Sequence, residues 1–486
     1  MFMIDKERRR MLRIAGAAGM IGLAGCGGDG SNGDEGSQDT ETSDESTETE
    51  SGGTGSSDSI QLWNNYTDST TEQASNEIIG DFEEETDITV EQTKFQGDKY
   101  KTSITNALGT SNAPDVFYIF VGPNRLGRYV QNDAVIPVDE YVSEDLVNSY
   151  APDAIRGVKY NPGEILSWRA EDGNLFALPH DMAGIMLWYN KNVLEDVGID
   201  PEQFKHSTDT TWEEFLSACQ TVADGGYTPI QCGNRERWTI GHWMSAFMIK
   251  SVGVDAYLDA AYGLNDRSFT EDDIVEGVSR LKTLYDEGYF NRDINSLNMS
   301  EAASLFFNDQ AAFWHQGTWV QSTISSQAPD SFGGIPDHID YMWWPTFPDL
   351  YENGNNERLA VVPNTAFAVS TQAQERGEDN LQNTIEFLEF WNSQQGQQTW
   401  FEETDQLMTR TDAYEGVDMN PSQETITSVT DHIDSADAVG MVFDTGFLPE
   451  TSETLLSGGQ SLFTGSSAEE ILADAQSTNE EALSNL

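Results

Sequence analysis

Positive charge is scarce in this chain. Its 486 residues hold 25 lysines and arginines against 83 aspartates and glutamates, a formal net charge of −58. Without a basic patch, nucleic acid drops out as a partner class. Such an imbalance destabilises a compact state by self-repulsion in dilute buffer. At about 1 M salt the Debye length shrinks to about 3 Å and the repulsion is screened. The acidic excess runs along the whole chain rather than sitting in a tail. A protein that works in strong brine is therefore expected.

Cysteine, histidine and long apolar runs are also sparse. There are three cysteines. Cys219 and Cys232 share one predicted helix–loop–strand unit, where they either pair outside the cell or sit as small buried residues. The six histidines (180, 206, 242, 315, 338 and 432) are scattered, with no HExxH and no zinc-like Cys/His spacing. A GxSxG elbow and a phosphate-gripping glycine loop are missing. Carboxylates are so abundant that counting alone cannot single out a glycosidase pair. The apolar stretch at 14–24 is too short for a membrane span, which needs about 20 residues.

That stretch has another reading. Arg8-Arg9-Arg10-Met11-Leu12-Arg13 has the pattern of a twin-arginine export signal, and Leu23-Ala24-Gly25-Cys26 closes the apolar run like a lipobox. Residues 1–25 are thus expected to be a lipoprotein signal, with Cys26 left for lipid attachment. Residues 26–59 are, after Cys26, almost entirely Gly, Ser, Thr, Asp and Glu. They lack the apolar surface needed to offset ordering entropy, so an acidic, disordered tether is expected there.

From residue 60 the pattern becomes that of a folded body. Ile60-Gln61-Leu62-Trp63 reads as a strand, 70–86 as a helix with Ile78, Ile79 and Phe82 on one face, and 88–90 as a second strand. A helix over 99–108, a buried strand over 114–120 and a helix starting at Arg125 follow. This strand–helix alternation predicts an α/β lobe, with ligand beyond the carboxyl ends of the strands, at 64–66 and 120–124. Leu178-Pro179-His180-Asp181 then leads into an apolar strand over 185–189, so that His180 and Asp181 are delivered to a cleft. Thr211-Trp212-Glu213-Glu214 reads as a helix cap with Phe215, Cys219 and Val222 inward. The segment 238–250 is helical and aromatic. Strands are expected at 311–316, 341–344, 360–363 and 367–369, and helices at 384–392 and 394–402. Among twelve tryptophans, Trp63, Trp238, Trp243, Trp319, Trp343 and Trp344 fall near strand ends or turns. There a flat ring can stack on the C–H face of a sugar, or pack in a core. Trp319 follows a Gly-Thr turn that frees it from strand packing.

Several short motifs recur in a fixed order. They are Trp63 at a strand end, Ala113-Pro114-Asp115-Val116, Leu178-Pro179 with Tyr189-Asn190-Lys191, and Thr211-Trp212-Glu213-Glu214-Phe215. Gln310-Ala311-Ala312-Phe313 with Gly317-Thr318-Trp319, then Phe387-Leu388 with Gln394-Gln395-Gly396, complete the set. In this order the chain resembles the extracellular solute-binding proteins of carbohydrate ABC importers, the maltose-binding-protein-like group, over essentially all of the body. The resemblance implies an α/β, two-lobed periplasmic-binding-protein-like fold of type II, its lobes built from discontinuous segments joined by a hinge. The lobes would be 60–180 with 365–406, and 181–364 with 407–486. Crossings would fall near 181–186, 364–366 and Gln406. It also implies a binding protein, not an enzyme, with no cofactor, no metal and no catalytic residue. A sugar or oligosaccharide would be its ligand and an ABC permease its partner. It would sit lipid-anchored on the outer face of the cell membrane. Asn64, Asn65, Tyr66, Phe120, Asn124 and Arg125 would line the ligand site from one lobe, with His180 and Asp181 at the hinge. Trp319, and Trp238 or Trp243, would line it from the other. The alternatives are a non-sugar solute on the same fold and a secreted glycosidase.

Overall fold

The computed structural model describes residues 59–486. The expected signal segment, nearly all of the tether and Cys26 lie outside the described residues.

The first lobe starts with two helical crossovers between parallel strands, the connection that a parallel sheet requires. Strand β1 (Ser59–Asn64) runs into the Ser69–Thr86 helix and then β2 (Thr89–Lys94). The Gly97–Ala107 helix leads to β3 (Val116–Phe120). The first helix starts where Asp68 accepts from the Thr70 and Thr71 amides, and it buries Ala74, Ile78, Ile79 and Phe82 against the sheet. A small ribbon, β4 (Lys159–Tyr160) with β5 (Asn174–Leu175), precedes β6 (Leu178–Pro179).

The second lobe is organised around β7 (Asp181–Asn190), all ten residues of which are buried. After it come β8 (Thr228–Gln231), β9 (Ala311–Gly317), β10 (Ile339–Met342) and β11 (Glu357–Val361). Strand β12 (Thr365–Val369) follows, then β13 (Leu407–Met408) and β14 (Ala438–Gly440). The first sheet has the order β2-β1-β3-β12-β6 and the second β14-β11-β7-β9-β8, with β10 and β13 also paired to β7. Strand β12, far along the chain, sits antiparallel between β3 and β6.

The pleat of β7 divides its side chains between two cores. Ile185, Leu187 and Tyr189 join a cluster with Phe215, Ile230, Trp243, Phe313 and Trp344. Met186 and Trp188 face a second cluster with Trp314, Tyr341, Trp343, Ile426 and Val429. A strand buried on both faces shows no polar alternation, so its sequence marks only the apolar run at 185–189. Met182, Ala183 and Gly184 extend it through pairing with β13 and β11. The first sheet has a core of its own around Ile60, Leu62, Phe82, Val116, Phe117, Phe367 and Trp391.

Two other expectations change. The helix expected from Arg125 begins as a π-helical turn, Pro123–Gly127, and continues as Arg128–Gln131. The strand expected at 341–344 is Ile339–Met342. Trp343 and Trp344 lie beyond it in the core, where the Trp344 indole donates to the Ile185 carbonyl (2.6 Å). Cys219 and Cys232 are free, buried thiols. The expected cap at Thr211 is a full capping box with Glu214, and Trp212, Phe215, Cys219 and Val222 of the Trp212–Asp224 helix are buried. No helix among the described residues is long and apolar enough to cross a membrane.

The chain passes between the sheets at three places: His180, the segment 362–364, and Asp405-Gln406. These crossings are laced together. The His180 amide donates to Thr365 O (2.9 Å), Asn364 N to Asp181 O (2.9 Å), and Thr409 N to His180 O (3.3 Å).

Candidate binding cleft between the sheets

A cavity of about 290 Å³ opens where the crossings meet the ends of the two sheets. Asp181, the first residue of β7, is part of its lining, as are Asn364 and Gln406 from the other two crossings. Thr365 Oγ1 donates to Asp181 Oδ1, and Asn364 Nδ2 lies 3.4 Å from both carboxylate oxygens. Burial pushes the Asp181 carboxyl up to about 6 against the opposing pull of these donors.

The first wall is built from strand ends, where parallel sheets place their ligands. Asn65 and Tyr66 follow β1, Tyr118 and Phe120 end β3, and Arg125 comes from the π-helical turn. Tyr66 lies edge-on to Tyr118 (5.2 Å between centroids) and against Trp400 (4.5 Å). Burial, then the proximity of Tyr118 and Asp181, holds the Tyr66 phenol well above the usual range, so it stays a neutral hydroxyl.

The opposite wall carries Trp238 and His242 from the start of the Trp238–Val252 helix, Trp319 after β9, and Asp444 with Thr445. Trp238 lies 5.0 Å from His242 and 6.3 Å from Trp319 between ring centroids. Gly317 makes room for Trp319: a Cβ there would lie 2.2 Å from the indole Cζ3. Burial lowers His242 to about 4, opposed by Asp444 and reinforced by Lys101, so the ring is neutral. Its Nδ1 is 3.1 Å from Nε2 of His315.

Seven of the eleven residues expected at the site line this cavity: Asn65, Tyr66, Phe120, Arg125, Asp181, Trp238 and Trp319. The other four lie elsewhere. Asn64 is fully buried, and its Oδ1 turns back to accept from the Tyr66 amide (3.2 Å). Asn124 reaches across and donates to the Asp444 carbonyl (2.8 Å). His180 points into the first core, 4.7 Å from Trp400 and 5.3 Å from Phe367 between centroids. There Gln397 donates to its Nδ1 (3.0 Å), and burial lowers the ring to about 3. Trp243 is fully buried against Trp344 and Phe290.

Helical geometry explains the last of these and one omission. At 100° per residue, Trp243 is turned about 140° from Trp238, whereas His242, four residues on, shares its face. His242 was therefore within reach of the sequence. Asp444 and Thr445 were not: one carboxylate among many, in the C-terminal segment, carries no local signal.

The lining combines aromatic faces with hydroxyl, amide and carboxylate groups, a set suited to a ligand with flat apolar faces and a polar edge. Among the described residues no group of three His, Cys, Asp or Glu side chains is placed to hold a metal ion.

Comparison with known proteins adds three findings. Residues 67–398 match the family model described as bacterial extracellular solute-binding protein. An uncharacterized ABC transporter extracellular-binding protein of Pyrococcus horikoshii is 22% identical over 257 residues, covering 53% of this chain and 52% of that one. The multiple sugar-binding protein of Streptococcus mutans is 24% identical over 148 residues, covering 29% and 33%. The matched stretches thus span about half or less of the curated relatives' length. Among solved structures, a chitin oligosaccharide binding protein superimposes with a TM-score of 0.74 at 19% identity, covering 88% of this chain and 99% of that one. That likeness extends the two-lobed, periplasmic-binding-protein-like architecture over nearly the whole described body.

Proposed function

The chain belongs to the bacterial extracellular solute-binding protein family, and on that premise we propose that it captures an extracellular sugar or oligosaccharide for an ABC importer. The observation that carries this reading is the pairing of Trp238 and Trp319 on one wall with Tyr66 and Phe120 on the other, around Asp181. The rings cover the C–H faces of a sugar, while Asp181, Asn65 and Tyr66 reach its hydroxyls. Trp319 is the principal stacking platform. Because both lobes contact the ligand, binding favours the closed arrangement, and that state docks on the membrane permease.

The same reading covers the rest of the chain. The lobes are 60–180 with 365–406 and 181–364 with 407–486, turning about the three crossings. The twin-arginine segment exports the folded body, Cys26 carries a lipid, and the acidic tether spaces the body from the membrane. The surface charge is an adaptation to brine.

Titration calorimetry in multimolar KCl with maltose, cellobiose, xylobiose, N,N′-diacetylchitobiose and raffinose tests the ligand class. At least one is expected to bind. The Trp319→Ala variant is expected to lose about 2 kcal/mol of affinity, roughly thirtyfold in Kd. A panel without a binder, or an unchanged Trp319→Ala affinity, overturns the reading.

A further inference from the structure

The cleft holds a polar contact that is only half made. Asp444 sits on the second lobe, and its Oδ2 lies 3.5 Å from Arg125 Nη2 of the first. Asn124 donates to the carbonyl of the same residue (2.8 Å). The two lobes approach so closely here that a Cβ on Gly122 would lie 2.4 Å from the Thr445 carbonyl oxygen. The other carboxylate oxygen, Oδ1, is buried and has no hydrogen-bond partner among the described residues. The same is true of Arg125 Nε and of the Tyr66 hydroxyl. A polar atom that has lost its water without gaining a partner costs free energy until one arrives.

Facing that oxygen is His242, its Nε2 3.8 Å from Asp444 Oδ1. This is too long for a hydrogen bond, which needs about 3 Å. The histidine tautomer follows from its neighbours. A lone pair on Nε2 would face a carboxylate, so the proton sits on Nε2 and Nδ1 accepts from His315 Nε2 (3.1 Å). An acceptor and a donor, on two residues that line the cavity, are thus held 3.8 Å apart.

The geometry points to a hydroxyl-reading subsite made by Asp444 and His242 and completed across the cleft by Arg125. One hydroxyl of the bound sugar donates to Asp444 Oδ1 and accepts from His242 Nε2. This deepens the saccharide reading and rests on it. The subsite exists only where the lobes meet, because Arg125 balances the carboxylate from the opposite side. It also sets specificity. A sugar lacking that hydroxyl leaves both groups unpaired, and a site built for a hydroxyl discriminates strongly against its absence. Trp238 and Trp319, both packed close to His242, hold the sugar ring while its edge is read.

The test uses Asp444→Asn and His242→Phe in multimolar KCl. The probes are maltose, cellobiose, xylobiose and N,N′-diacetylchitobiose, with the single-deoxy analogues of whichever binds. Each variant is expected to weaken binding by about tenfold to a hundredfold. One deoxy analogue is expected to lose as much against the unsubstituted protein and nothing more against Asp444→Asn. If no disaccharide binds the unsubstituted protein, the saccharide reading and the subsite fall together. If one binds and both variants hold it as tightly, the subsite falls and the saccharide reading stands. Weakened binding that still discriminates against every deoxy analogue as before assigns the residues a structural role and also overturns the subsite. Should Asp444→Asn fail to fold, His242→Phe with the same analogues decides.

Discussion

Asp181 is ionised at neutral pH only against the resistance of its surroundings. Burial raises its carboxyl to about 6, while Thr365 and Asn364 pull the other way. Between the ordinary carboxylate range and about 6, the folded protein holds a proton that the unfolded chain has released. Stability therefore falls as pH rises through that window, and above it the cost is complete. The shift corresponds to about 3 kcal/mol at most. Asp181→Asn is expected to be more stable than the parent above pH 6, to lose this part of the pH slope, and to bind sugar more weakly. Denaturant melts of both proteins across the acid range, compared pairwise, check this, and parallel slopes would sink it. Residues of this kind were legible because a rigid proline and a strand start put them at an edge. His180, one position earlier, was equally plausible by sequence, but its side chain points to the other face, into the aromatic core of the first sheet. Alternation along an extended chain makes neighbours opposites, and which of the two faced the cavity depended on strands that pair from far along the chain.

Elements carried their meaning locally when their signals were local. The Thr211–Glu214 capping box is complete within four residues, and the structure contains it. The reach of β7 and the π-helical start of the segment after β3 are settled by tertiary partners, so local pattern misjudged both. The turn after β9 is a case where sequence and packing agree. Gly317 allows the Trp319 ring to fold back over the strand end. Gly317→Ala is expected to displace the indole, lowering sugar affinity nearly as much as Trp319→Ala while Tm moves only slightly. Tryptophan fluorescence and calorimetry on the same sample would show it. A Gly317→Ala protein with parental affinity would mean that the ring's position is not what holds the ligand.

At the scale of the whole molecule, charge decides the conditions under which the fold persists. A net charge of −58 opposes compaction until counterions screen it. Tm is expected to climb by many degrees between dilute buffer and multimolar KCl, and calorimetric scans across a salt series would measure it. A Tm independent of salt would refute the brine adaptation. The ordered motifs made the two-lobed layout legible, while the brine adaptation is a proposal from composition that the salt series tests. What composition concealed was Asp444, because a background of 83 acidic residues hides any single one that matters.

The placement of β12 has a consequence for the chain's history. The central gap of the first sheet, between β3 and β6, is filled by residues 365–369, while the second sheet waits for β14 at 438–440. During synthesis the amino-terminal half leaves the ribosome with both sheets incomplete and their apolar edges unpaired. Contacts so distant in sequence make folding slow and expose intermediates to aggregation. The first sheet can close once β12 has been made, whereas the second still lacks its edge strand β14. Both sheets therefore depend on strands from the last third of the chain, and much of the native pairing waits until that part has been made.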